Sequence, residues 1–380
     1  MKKILYQLTV YSLFFLGIIS VNAQGLPTDG TLTIRPIVQN MAMRLLNGKI
    51  GSVVAIRPDN GEIICLATHS SSGEDISLAI AKPYEPGSTF KTAQALALLS
   101  EGIVTPETSI ECLQGITDGN IRVRCHKHRS PLNLIDALAY SCNTWFITTF
   151  AAMINDDFMY ESKDEAIDIW RDYMRSMGLG GPLGIDINGE KGGLLANSSY
   201  LNRRYPNGWD GKTIWWVGLG QGDVTITPIQ LCNLAVSIAN RGFFYTPHIH
   251  ANTASYHPGK RYTTKHKTKV SPEAYTTVIE GMKQAVLKGT ATAIKTTYPI
   301  CGKTGTVENS GKDHSVFIGF APINDPKVAI AVYIEHGGFG ADLAAPIASL
   351  VMETYLKGKL SDESEQQAKR LARVRTSDMK

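Results

Sequence analysis

Residues 82–99 read KPYEPGSTFKTAQALALL, and the fold is decided by how this stretch is understood. Pro86-Gly87 ends whatever precedes it, and helix formers run from Ser88 to Gly102, so the pattern predicts a helix opening at Ser88. Three positions apart, Ser88 and Lys91 share one helical face. The surrounding alanines and leucines leave that face little water. A lysine held there sheds its proton readily, and a neutral amine beside a hydroxyl is a base beside a nucleophile.

Upstream, a helical pattern runs through Asn47, and GSVVAIRPDNGEIICLATHS (51–70) reads as two strands about a turn at Asp59-Asn60-Gly61. Downstream, from Thr105 to about Ile214, helical runs alternate with polar loops. A mostly apolar helix, TPIQLCNLAVSIANRG, ends at Arg241-Gly242. HPGKRYTTKHKTKV (257–270) reads as a solvated basic loop, and His248 and His250 as surface residues on a strand. The helix SPEAYTTVIEGMKQAVLKGT leads into three strand-like runs, TYPICGKTGTV, HSVFIGFAP and KVAIAVYIEHG. Two strands near the start and three near the end predict one antiparallel sheet closed by both ends of the chain. The helical segment would be a subdomain inserted after the first hairpin, with the site in the crevice between sheet and insert.

With 43% hydrophobic and 19% charged residues in 380, this is an ordinary globular composition able to bury a large core. A formal net charge of +4 gives no electrostatic footprint for nucleic acid, which is excluded as a partner. Met1-Lys2-Lys3, the apolar run ILYQLTVYSLFFLGIIS and the small Ala23 have the three-part layout of a secretory signal over residues 1–23. An uncleaved membrane anchor is the alternative, and either places the body in the periplasm or cell envelope. The body is expected over 31–356, followed by a charged tail over 360–380.

Nucleophilic acyl transfer needs a serine, a base, a donor to the leaving group and donors to the oxyanion. Three patterns could supply them: Ser-x-x-Lys at Ser88 and Lys91, Ser-x-Asn at Ser141 and Asn143, and Lys-Thr-Gly-Thr from Lys303 to Thr306. Each alone is weak, but the other Ser-x-x-Lys (Ser377 to Lys380) and Ser-x-Asn (Ser20 to Asn22) lie where no site could be built. The three remaining motifs stand in the order used by serine acyl-transferases of the penicillin-binding and β-lactamase kind. Together with YEPGSTFK, GLGQGDVTITPIQL, GMKQAVLKGTATA and VFIGFAPINDPKVAIAVYIEHGG, the chain resembles the transpeptidase domain of a penicillin-binding protein, class B and most like the penicillin-binding protein 2 group.

That resemblance implies an α+β (α/β) penicillin-binding protein/β-lactamase-like fold, a five-stranded antiparallel sheet flanked by helices with an inserted all-helical subdomain. It implies that Ser88 attacks a D-alanyl-D-alanine stem peptide of peptidoglycan, or a β-lactam antibiotic, to form an acyl-enzyme. Lys91, kept neutral by burial and by the cation Lys303, would take the serine proton. Ser141 would relay a proton to the leaving group, and Asn143 would hold Lys91 and the substrate amide. Lys303, Thr304, Gly305 and Thr306 would bind the substrate and its terminal carboxylate, with Ser88 and Thr306 amides as the oxyanion hole. No cofactor is needed for this chemistry. A β-lactamase, a D,D-carboxypeptidase and a non-catalytic β-lactam-sensing or peptidoglycan-binding protein share the fold. Class D β-lactamases, however, carry valine where Asn143 stands, and neither Tyr-Gly-Asn nor Glu-x-x-Leu-Asn occurs here. Relatives also carry a long non-catalytic module before the first strand, which is expected to be missing here and which bears contacts to cell-wall synthesis proteins.

Of six cysteines, Cys65, Cys232 and Cys301 stand in apolar contexts and read as small buried hydrophobes. Cys112, Cys125, His126, His128 and Cys142 cluster in sequence, and three cysteines with a histidine make a structural zinc set. Disulfide formation between Cys112 and Cys125 is the competing reading for an exported chain. The family resemblance implies zinc, with Cys142, the middle residue of Ser-x-Asn, as one ligand. The expected set is Cys112, Cys125, His128 and Cys142, a clamp on the Ser141–Asn143 loop.

Overall fold

A computed structural model describes residues 31–119, 121–254 and 257–376. The leader read over residues 1–23 lies outside these. Among the described residues no helix is long and apolar enough to cross a membrane.

Helix α1 (Pro36–Leu46), with Pro36 pre-set for the first turn, is followed by β1 (Gly51–Ile56) and β2 (Ile63–His69). A single 3-10 turn, Gly87–Phe90, then passes into α2 (Lys91–Ser100). The insert continues through β3 (Gly115–Asp118), β4 (Ile121–Arg124), α3 (Leu134–Ala139), α4 (Asn143–Ile154) and α5 (Lys163–Ser176). Helices α6 (Pro228–Ala239) and α7 (Pro272–Leu287) lead back to β5 (Cys301–Val307), β6 (His314–Ala321) and β7 (Val328–Ile334). Helices α8 (Ala344–Lys357) and α9 (Asp362–Arg373) close the chain.

The sheet has the order β2-β1-β7-β6-β5 with every neighbouring pair antiparallel, as the strand count predicted. It is buried on both faces, so its strands read as unbroken apolar runs instead of alternating ones. Val54, Ile56, Ala329, Ala331 and Tyr333 face one core. Val53, Ala55, Val328, Ile330, Val332 and Ile334 face the other. Helices α1 and α8 cover the second face; α6, buried along its whole length, lies on the first and joins the sheet to the insert. Its start is fixed by Pro228 and by Gln230, whose Oε1 accepts from the Thr227 amide at 3.2 Å.

Three details differ from the sequence reading. The insert carries the β3–β4 hairpin as well as helices. The charged tail contains α9, capped by Ser361 and packed on α1 through Ala368, Leu371 and an Arg44–Glu365 ion pair of 2.7 Å. His248 is buried, with Nδ1 against the Thr246 carbonyl at 3.2 Å, because its segment bridges to Glu62 beside β2.

Candidate active site

Ser88 stands in the 3-10 turn, not in the first turn of α2, and in 3-10 geometry residues three apart eclipse one another. The Lys91 amide donates to the Ser88 carbonyl, which puts Lys91 and the half-buried Ser88 on one side of the turn. This turn lies directly against β5. A Cβ added to Gly305 would sit 3.0 Å from Thr89 Cγ2 and 3.2 Å from the Pro86 carbonyl oxygen. The glycine of Lys-Thr-Gly is therefore a close-approach residue, letting the edge strand pass beside the serine turn.

Lys91 is completely buried at the floor of the cleft. Its Nζ donates to Asn143 Oδ1 at 2.5 Å and to the Ser141 carbonyl at 2.9 Å, and lies 3.3 Å from Ser141 Oγ. Burial lowers the Lys91 ammonium to about 8, against an opposing pull from Cys142 and Cys125. Lys303 is equally buried on β5, with Nζ donating to the Thr304 carbonyl at 2.8 Å. Burial, and after it the charge of Lys91, pushes Lys303 well below the ordinary lysine range. Burial acts on both lysines, and the repulsion between them is mutual, so each disfavours the charged form of the other.

Ser141 reaches Lys91 because of how α3 ends. The Cys142 amide donates to Ala137 and the Ser141 amide to Leu138, which is a Schellman ending with Ser141 at the left-handed position, φ 57°. Glycine is usual there, and a serine in that conformation is strained. Asn143 then opens α4, and its Nδ2 donates to the Arg124 carbonyl of β4 at 2.7 Å. Thr304 Oγ1 meets Thr290 Oγ1 at 2.6 Å, and Thr306 Oγ1 accepts from the Gly340 amide at 3.4 Å. The sheet pairs β5 on one side only, and an edge strand offers unpaired amides and carbonyls to an extended peptide. All three motifs therefore converge on one crevice.

The structure also brings together Cys112, Cys125, His128 and Cys142, whose ligand atoms all lie within 4.8 Å of one another. All six cysteines are free thiols. Amides of Asn143 and Thr144, at the start of α4, donate to Cys125 Sγ at 3.2 and 3.3 Å. The Cys125 thiol is pushed down by the Cys142 contact and by the hydroxyl and amide of Thr144. His128 gives Nδ1 to the Arg129 carbonyl, while its buried Nε2 has no hydrogen-bond partner. An orphaned imidazole nitrogen among three thiols is a donor set that fits a soft divalent metal.

Two features escaped the sequence reading. Arg124 holds Asn143 through its backbone, and Thr144 touches both Cys112 and Cys125 with its hydroxyl at 3.2 and 3.4 Å. His126, outside the ligand group, meets Phe339 edge-on at 6.2 Å between centroids; burial and then Lys91 and Lys303 lower its ring below the usual histidine range.

A five-stranded antiparallel sheet joined to an insert by Ser-x-x-Lys, Ser-x-Asn and Lys-Thr-Gly defines a class of serine acyl-transferase folds. The model of the penicillin binding protein transpeptidase domain matches residues 51–353, and the chain belongs to that family. It is 29% identical over 401 residues to the peptidoglycan D,D-transpeptidase MrdA of Acinetobacter baumannii, covering 90% of this chain and 56% of that one. The stage V sporulation protein D of Bacillus subtilis is 28% identical over 372 residues, with 87% and 54% covered. The chain thus spans about half the length of the curated relatives it matches. The Pseudomonas aeruginosa PBP2 structure with WCK 5153 superposes with a TM-score of 0.76 at 28% identity, covering 90% of this chain and 80% of that one. The penicillin-binding protein transpeptidase fold implied by the motifs is the fold of this chain.

Proposed function

We propose that this protein is a peptidoglycan D,D-transpeptidase that forms an acyl-enzyme on Ser88 and is acylated there by β-lactams. The observation that carries this reading is the buried Lys91 amine, three residues on from Ser88 and bonded to Ser141 and Asn143. Neutral Lys91 takes the Ser88 proton as Oγ adds to the carbonyl of a D-alanyl-D-alanine peptide lying along the edge of β5. Amides of Ser88 and Thr306 receive the oxyanion. Ser141, in contact with Lys91, passes the proton to the departing amine, while Asn143 fixes Lys91 and the peptide amide. Lys303 becomes a cation when the terminal carboxylate arrives, since an opposite charge offsets the cost of burial. Thr304, Gly305 and Thr306 line that carboxylate.

Transfer to an amine is favoured over hydrolysis because the sequence has neither the Tyr-Gly-Asn nor the Glu-x-x-Leu-Asn element of the hydrolytic relatives. Cys112, Cys125, His128 and Cys142 would hold a structural zinc ion, which when bound fixes the Ser141–Asn143 loop to the hairpin and takes no part in acyl transfer. The substrate class and the leader-like residues 1–23 support a position in the cell envelope, facing peptidoglycan. Intact mass after mixing with benzylpenicillin tests the reading. A long-lived adduct on the parent and none on Ser88→Ala is expected; no adduct overturns it, and an adduct lost within seconds points to a β-lactamase.

A further inference from the structure

On the face of α5 beside its buried ridge, Arg171 and Arg175 lie one turn apart and line a cavity of about 130 Å³. Its other walls are backbone-rich: Gly180, Gly181, Gly193, Leu194 and Leu195. The glycines are there for want of space. A Cβ on Gly193 would lie 1.8 Å from the Thr225 carbonyl oxygen, and one on Gly192 would lie 2.4 Å from that of Gly180. The Gly181 carbonyl is turned away and accepts from Gln230 Nε2.

Among the described residues neither arginine is paired with an acid. The carboxylates of α5 are engaged elsewhere: Asp164 with Asn202, Glu165 with the Glu161 amide, Asp168 with the amide and hydroxyl of Ser198, and Asp172 with Lys269 at 2.6 Å. Glu190, the acid of the glycine loop, accepts three amides from Leu183, Gly184 and Ile185. Arg171 Nε is buried with no hydrogen-bond partner. Arg171 is half-buried with its Nε enclosed, Arg175 is exposed, and two guanidiniums without an acid concentrate positive charge at a small cavity.

We infer that this cavity is an oxyanion-binding site, separate from the serine crevice, in which Arg171 and Arg175 clasp one carboxylate or phosphate group. The inference does not rest on the acyl-transfer reading. A carboxylate would come from a peptide bearing acidic residues or a free terminus, a phosphate from a phosphorylated sugar or lipid headgroup.

The test is thermal unfolding of the whole protein in inorganic phosphate against chloride of equal ionic strength, repeated with a short diacidic peptide. The expected result is a saturable rise in melting temperature for the parent, weakened about tenfold or more in apparent affinity by Arg171→Gln with Arg175→Gln. Benzylpenicillin acylation of the double variant serves as the check on folding. Should the pair fail to fold, the exposed Arg175→Gln alone carries the measurement, and Arg175→Lys should recover part of the response. Phosphate acting alone assigns a phosphate group; the peptide acting more strongly assigns a carboxylate. Equal responses in parent and variants, or none to either anion at millimolar concentration, overturn the site and leave water as the partner of Arg171 Nε.

Discussion

If Lys91 is the base, acylation must follow its neutral fraction. Burial lowers the group from 10.5 to about 8. At pH 7 that leaves about one molecule in ten with a free amine, against roughly one in three thousand for an ordinary lysine. The deprotonated form is the reactive one, so the rate constant for acylation by benzylpenicillin should rise about tenfold per unit from pH 6 and flatten above about pH 8. The perturbation that tests the assignment is Asn143→Asp, nearly isosteric, which puts a carboxylate where the amide oxygen lies 2.5 Å from Lys91 Nζ. An opposite charge at that range raises a lysine by roughly 1–3 units, so the profile should move to higher pH by that amount. At pH 7 the variant should be slower by about 10–1000-fold, yet recover toward the parent plateau in alkaline buffer. Stopped-flow with a fluorescent penicillin across pH 6–10, with melting temperature followed at each pH, gives the measurement (the range is about that in which Lys91 titrates). An unchanged midpoint with a lower plateau would mean that Asn143 does not set the protonation of the reacting base. A parent profile flat below pH 8 would remove Lys91 from that role altogether.

Gly305→Ala should slow acylation by about 10–100-fold, since its methyl must push β5 off the Ser88 turn, while the unfolding temperature changes little; normal acylation would show the contact to be unimportant. Ser141→Gly should stabilise the fold in urea titrations by about 0.5–1 kcal/mol, as φ 57° suits glycine, and should still slow acylation because the hydroxyl is gone. A loss of stability would show that the hydroxyl contact with Lys91 outweighs the strain. Protein prepared with zinc should carry about one equivalent by atomic absorption, and His128→Ala or Cys125→Ser should lower both metal content and melting temperature. Metal content equal in parent and variants would locate any zinc elsewhere.

What could be read in the sequence was whatever a short window of residues determines. The run VAIAVYI announces β7 because both faces of the sheet are covered, so every position had to be apolar. Ser88 and Lys91 announce themselves because three residues of separation put them on one face of a helical turn. The hairpin β3–β4 was hidden for the opposite reason: Val123 alone among its strand residues is buried, so no apolar alternation marks it, although Asp118-Gly119 is a turn signal. Helix α9 buries little besides Ala368 and Leu371, and its helicity is visible in its cap and charge placement more than in its hydrophobicity. The three cysteines and the histidine that cluster in sequence stand together in the structure, and Cys142, inside Ser-x-Asn, already tied them to the reacting centre in the sequence. Cys142 belongs to both the thiol cluster and the ending of α3 that forces Ser141 into its left-handed conformation, and Asn143 is tied at once to Lys91 and to β4. The Schellman ending of α3 and the Arg124 carbonyl that receives Asn143 are supplied by backbone atoms, which any residue type carries and no motif records. The chemistry of such a site is therefore spelled in its side chains, while its positioning depends on main-chain contacts that only the fold creates.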